Sequence, residues 1–148
     1  MTCIFCEILA GRAEGTFLYR DAVCAAFMDI QPVNPGHVLV VPTRHAADLG
    51  AIHPVEWSKV ADLGRRLATV LRTSDIRCEG VNLFLADGAA AGQEVFHTHL
   101  HVFPRFAGDG FGLRFPESYG DLSSRDALEE EADRLRPRLE LALSEQAP

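Results

Sequence analysis

The run VLVVP at 38–42 constrains this chain more than any other stretch. It is short, apolar and rich in β-branched residues, and Pro42 ends it, so it reads as a buried strand. Two runs before it also read as strands: TFLYR at 16–20 and VCAAFMDI at 23–30, separated by the turn-like pair Arg20-Asp21. QPVNPGH at 31–37, with two prolines and a glycine, is a loop. GVNLFLA at 80–86 and residues 95–103 supply two more strands, joined by the small-residue loop DGAAAGQ at 87–93.

Between the third and fourth strands the period changes. Trp57, Val60, Ala61, Gly64, Leu67, Ala68 and Leu71 recur at helical spacing, Pro54 suits a first turn, and His53 or the residue before it caps. That face should lie on the sheet. A final helix is expected from about Ser123, where Ser123 and Asp126 have capping-box spacing, and Pro137 should kink or interrupt it. Strands, a crossover helix, more strands and a helix make an α+β domain with a mainly antiparallel sheet. With 148 residues, one domain over 1–148 is expected, its core over 3–106 and a C-terminal loop and helix over 107–148.

Charge narrows the partners. Lys and Arg number 14 against 21 Asp and Glu, for a net charge of −7, which argues against a phosphate-tracking surface for nucleic acid. A small phosphorylated ligand is not excluded. No stretch approaches the roughly 20 apolar residues of a membrane span. The start, MTCIFCEILAGR, lacks the basic region and long apolar run of a signal peptide. The expectation is a cytoplasmic protein without a membrane partner. Cys3, Cys6, Cys24 and Cys78 are then thiols or metal ligands rather than disulfides.

Half of the six histidines fall in FHTHLHVFPR at 96–105. On a strand His97, His99 and His101 project together, while Thr98, Leu100 and Val102 face the core. Three readings compete: a solvated edge strand, a three-histidine metal site, and a nucleophile site. Zinc takes imidazole ligands. An imidazole nitrogen can instead attack phosphorus, with a neighbouring histidine assisting the leaving group. The upstream DGAAAGQ favours the last reading, because glycines let backbone N–H groups approach an anion and Gln93 adds side-chain donors.

GQEVFHTHLHVFPR resembles the signature of the histidine-triad nucleotide hydrolases and transferases. AFMDIQPVNPGHVLVVPTRH at 26–45 resembles that family's other marked block, and CIFCEILAG fits its N-terminus. The resemblance implies that His99 is the nucleophile and that His101 contacts phosphate and assists the leaving group. Gln93, Glu94 and Val95 would contact phosphate, and Asp29 would hold the ribose hydroxyls. Phe5, Ile8 and Ile30 would line the base and ribose pocket. His37, in PGH, matches a position near the ribose or strand turn. Some members bind structural zinc through the equivalents of Cys3, Cys6, His45 and His97, a Cys2His2 set; no organic cofactor is implied. A purine nucleotide substrate and a homodimer with joined sheets follow from the same resemblance.

Three positions depart from the family, and Thr98, at an apolar position of the triad pattern, alters packing rather than chemistry. Ala86 stands where many members carry Asn or Gln, and Glu94 stands where several carry Ser or Thr. A carboxylate beside phosphate is repelled unless turned away or protonated. Two substrate branches remain open, adenosine phosphoramidates and diadenosine polyphosphates: ADGAAAGQ leans to the second and CIFCEI and FMDI to the first, which is the preferred one. The rivals are a nucleotide-binding module with little turnover and a hydrolytic zinc enzyme using all three histidines.

Overall fold

The structure, a computed structural model, describes residues 3–145. The chain divides into two compact units, one running through Phe111 and the other starting at Gly112.

In the first unit a five-stranded sheet is built from β1 (Phe17–Arg20), β2 (Cys24–Met28), β3 (Val38–Pro42), β4 (Gly80–Phe84) and β5 (Leu100–Arg105) in the order β1-β2-β3-β5-β4. Every pairing is antiparallel. Helix α2 (Pro54–Thr73) carries the chain from β3 past β5 to the edge position of β4. His53 is its N-cap, accepting from the Val55 N–H while Glu56 completes a capping box.

Alternation along the strands gives each sheet face its own core. Cys24, Ala26, Val38, Val40, Leu100 and Val102 pack against Val60, Leu67 and Leu71 of α2. Gly64 lets α2 come close: a Cβ there would lie 2.6 Å from Leu100 Cδ2. On the other face Ala25, Phe27, Leu39 and Val41 pack against Phe5 and Leu9 of α1 (Ile4–Leu9), a helix the sequence reading did not anticipate. Its single apolar turn is too short for a periodicity to stand out.

Several boundaries differ from the sequence reading. β2 ends at Met28, so Asp29 and Ile30 lie past it, and β4 ends at Phe84. The 87–93 loop contains a 3-10 turn, Ala89–Ala91. β5 begins at Leu100, not 95, and runs to Arg105. Residues just before it bond locally instead of joining a ladder: His97 N–H donates to the Val95 carbonyl at 2.9 Å, and Thr98 N–H to the Ala46 carbonyl at 2.6 Å. Alternation marks extended chain, whereas a strand also needs a partner at each step.

In the second unit, α3 (Arg125–Ser144) is capped by Ser124, whose side chain accepts from the Ala127 N–H, rather than by Ser123. The helix continues through Pro137 without interruption. Among the described residues, no helix is long and apolar enough to cross a membrane.

Candidate active site and metal centre

The histidines gather where β5 meets β3 beneath α1. They are not a solvated stripe. His97 and His99 are buried, because Phe5 of α1 lies edge-on to both rings, with centroids 5.9 and 5.2 Å away. His99 and His101 keep the shared side expected of i and i+2 residues, with centroids 4.8 Å apart. His101 sits between Leu39 of β3 and Phe84 of β4 in the sheet register.

Backbone partners fix which ring nitrogen holds each proton, since a carbonyl only accepts and an amide N–H only donates. His99 Nδ1 lies 2.7 Å from the His97 carbonyl, so Nδ1 carries the proton and Nε2 keeps a free lone pair. His37 Nδ1 accepts from the Val33 N–H at 3.0 Å, so its Nε2–H points to His101 Nδ1 at 2.9 Å. That leaves His101 with its proton on Nε2. The sequence reading placed His37 near the ribose or strand turn but not beside His101; a polar side chain at the mouth of the buried VLVVP strand was the available signal.

Asp29 lies beside the same group, its Oδ2 3.5 Å from His37 Nε2 and 3.8 Å from His101 Nδ1, while Oδ1 accepts from the Gln31 N–H. Burial pushes the His37 and His99 imidazoles below their usual range, against the pull of Asp29. His101 is pushed down to about 4, first by burial and then by His99 and His37. All three are therefore neutral at pH 7, the state in which an imidazole has a lone pair to give.

The other expected contacts fall out unevenly. Ile8 is half-buried near Gly15, and Val95 packs on the α1-side core. Ile30 is 93 % exposed, which excludes it from the core of the free chain. Gln93 does not offer free donors here: its Nε2 gives hydrogen bonds to the Ala47 and Val95 carbonyls, and its Oε1 accepts from the Gly88 N–H. The Gly/Ala stretch is likewise closed on itself, with the Ala91, Gly92 and Gln93 N–H groups bonded inside the turn. A buried polar side chain must find partners, and Gln93 finds them in the loop it braces. The Glu94 and Val95 N–H groups are not among the donors that close the loop. Glu94 is exposed, Ala86 is buried, and Asp87 is turned to the Leu49 N–H.

A second cluster lies behind His99. Cys3 and Cys6, at the start of α1, meet His45 and His97, with their four ligand atoms all within 4.8 Å of one another. His97 Nε2–H donates to the Pro42 carbonyl, so its lone pair on Nδ1 faces the Cys3 and Cys6 sulfurs at 3.5 and 3.6 Å. Cys6 Sγ lies 3.5 Å from His45 Nδ1. A tetrahedral zinc with ordinary bond lengths gives S···N edges of about 3.5–3.6 Å. The donor set and its spacing fit that ion. Cys24 takes no part: it is buried in the α2-side core, and burial pushes its thiol up to about 11.

Comparison with known proteins agrees with the geometry. The HIT domain family matches residues 10–108. A HIT-like protein of Borreliella burgdorferi is 40% identical over 113 residues, covering 76% of this chain and 81% of its own length. A zinc-bound histidine triad family protein of Mycobacterium smegmatis superposes with a TM-score of 0.72 at 39% identity, over 79% of this chain and 84% of that one. A histidine triad nucleotide-binding protein of Candida albicans gives 0.83 at 30% identity, over 95% and 99%. This chain belongs to the histidine-triad family, whose members are generally nucleotide hydrolases and transferases.

Proposed function

We propose that the chain cleaves at the α-phosphate of a purine nucleotide ester, anhydride or phosphoramidate and releases the nucleoside monophosphate through a nucleotidyl-His99 intermediate. The observation that carries this reading is the His99 tautomer: Nδ1–H is tied to the His97 carbonyl, leaving Nε2 as the free nucleophilic atom. In the first step a bond forms from Nε2 to phosphorus and the bond to the leaving group breaks, with His101, taken to imidazolium by a solvent proton as the phosphate binds, passing its Nε2 proton to that group. In the second, water attacks phosphorus, returns a proton to His101 and restores the lone pair of His99. Bound phosphate, being negative, raises the proton affinity of His101 when it is needed. Asp29 is placed to accept the ribose hydroxyls, and the Glu94 and Val95 N–H groups to meet phosphoryl oxygens. Phe5, Ile8 and the exposed Ile30 would line the base, and Gln93 would act by holding the loop.

Cys3, Cys6, His45 and His97 would hold a zinc ion that cross-links α1 to the segment that carries His99 into β5, a structural part. The M. smegmatis relative supports this reading. A homodimer is proposed through the sheet edge, where Leu83 and Phe84 of β4 are exposed, and a cytoplasmic location suits four free thiols. The absence of a side-chain donor at Ala86 favours the second reading, a binding module with little turnover.

Intact-protein mass spectrometry after mixing with an adenosine phosphoramidate, and separately with a diadenosine polyphosphate, tests both readings when AMP release is followed in parallel. An acid-labile AMP-sized gain on His99, and AMP release lost in His99→Ala, are expected, and the faster substrate assigns the branch. Nucleotide binding without AMP release would leave the binding module.

A further inference from the structure

In the loop 31–37, Asn34 is the one residue before His37 that buries a side chain. Gln31, Pro32 and Pro35 are exposed, Val33 is half-buried, and Gly36 has no side chain to bury. Both amide hydrogens of Asn34 are used. Its Nδ2 donates to the Pro104 carbonyl at 2.8 Å and to Asp109 Oδ2 at 2.9 Å. Pro104 lies on β5, the strand that carries His101, so the loop is tied to the same strand at two points: through Asn34 and through His37.

Asn34 sits between the two features that orient His37. On one side the Val33 N–H donates to His37 Nδ1, which sets the tautomer of that ring. On the other, the His37 N–H donates to the Asn34 carbonyl at 3.1 Å across Pro35 and Gly36. Gly36 has φ +98°, the left-handed backbone that the third position of a type II turn asks of glycine. This turn sets where the His37 ring begins.

Asp109 is the anchor. Its carboxylate accepts from Arg105 Nε at 2.6 Å and Nη2 at 2.9 Å, and from the Phe106 and Phe111 N–H groups. Those donors belong to its own turn, whereas the Asn34 amide arrives from a distant segment. The Arg105 guanidinium, helped by Asn34 and the two amides, holds the carboxyl well below the usual carboxylate range, so it is an anion at neutral pH. A hydrogen bond to an ionised acceptor is stronger than a neutral one.

We propose that Asn34, anchored by Asp109, is a positioning residue: it holds the loop so that the His37 Nε2–H meets His101 Nδ1, and so keeps the His101 proton on Nε2. The effect on turnover rests on the proposed role of His101 as the leaving-group acid. The effect on the two tautomers does not.

Imidazole 15N NMR of the full-length protein, run beside AMP release, separates the two. Wild type should show His37 and His101 each protonated at Nε2. Asn34→Ala should bring the two ring nitrogens of each residue toward averaged shifts. Asn34→Asp, which keeps the volume and replaces the donors by a carboxylate, should do the same, so an empty cavity is not the cause. Turnover per folded molecule should fall about tenfold in both, with KM within about twofold of wild type. Asp109→Asn, which turns one acceptor position into a donor, should average the shifts less, and it carries the test if the Asn34 variants do not fold. Val60→Ala opens a cavity in the α2-side core without touching these hydrogen bonds and should leave the 15N pattern unchanged. An unchanged His37 and His101 pattern in folded Asn34→Ala overturns the proposal. So does equal averaging in Val60→Ala, which would make it a general loosening. Averaged tautomers with undiminished turnover would support the positioning role and remove His101 as the acid.

Discussion

Neighbouring residues where the chain enters β5 turn into two interiors of equal dryness and opposite chemistry. Leu100 and His99 are each 6 % exposed. Leu100 points into an apolar layer against α2, where burial itself is the stabilising contribution. His99 points under α1, where burial of an imidazole costs free energy unless its nitrogens find partners. The partners found are chosen atom by atom: a carbonyl for Nδ1 and nothing for Nε2. The same exclusion of water gives stability on one face and, on the other, a neutral imidazole with its Nε2 lone pair left free.

Substitution on each face should separate these roles. The largest effect is expected for His99→Ala: AMP release falls on the order of 10⁴-fold or more, with the thermal transition nearly unchanged, as measured by steady-state assay and calorimetry. If release persists, the nucleophile lies elsewhere. Metal comes next. Removing zinc with a chelator, or replacing Cys6 by Ser, should cost about 4 kcal/mol for an ion normally present at a thousand times its dissociation constant. Activity should fall in proportion to unfolding. Immediate loss of turnover in still-folded protein would favour the catalytic-zinc rival.

Leu100→Ala tests the other face. It should cost about 2–5 kcal/mol in denaturant unfolding, because a large cavity opens beneath Gly64, while turnover per folded molecule changes little. His37→Ala should lower turnover about 10²-fold with a smaller change in KM, since His101 loses the donor that fixes its tautomer. An unchanged turnover would reduce His37 to a packing residue.

The smallest effect concerns pH. His101 has a folded value of about 4 and His37 is also held low, both below an unfolded value near 6.5. The unfolded chain therefore binds these protons first. The stability they contribute is complete above about pH 6.5 and is lost as pH falls toward 4. Urea midpoints across that window should decline, and less steeply in His101→Asn. An equal slope in both proteins would assign the acid sensitivity to other groups.

Local pattern carried much of the architecture. VLVVP became β3 at its exact bounds, and the Trp57 to Leu71 periodicity became α2 with His53 as its cap. Apolar period and turn chemistry are properties of short stretches, so they can be read without the rest of the chain. For the same reason the alternation of His97, His99 and His101 correctly gave their common side. It did not show how deeply they are buried, because α1, the element covering them, carries too little pattern to be recognised.

The sequence by itself determined that this chain forms an α+β domain with a histidine-rich segment beside a buried strand, and its motifs placed it in the histidine-triad family. Only the tertiary structure decided the state of each histidine. His37 and His101 are brought to 2.9 Å by strands far apart in the chain, and Gln93 is consumed by the loop it was expected to equip. Residue identity fixes which groups can donate or accept, but the partners of a buried polar group come from distant segments, and those partners set its proton, its pKa and its aim.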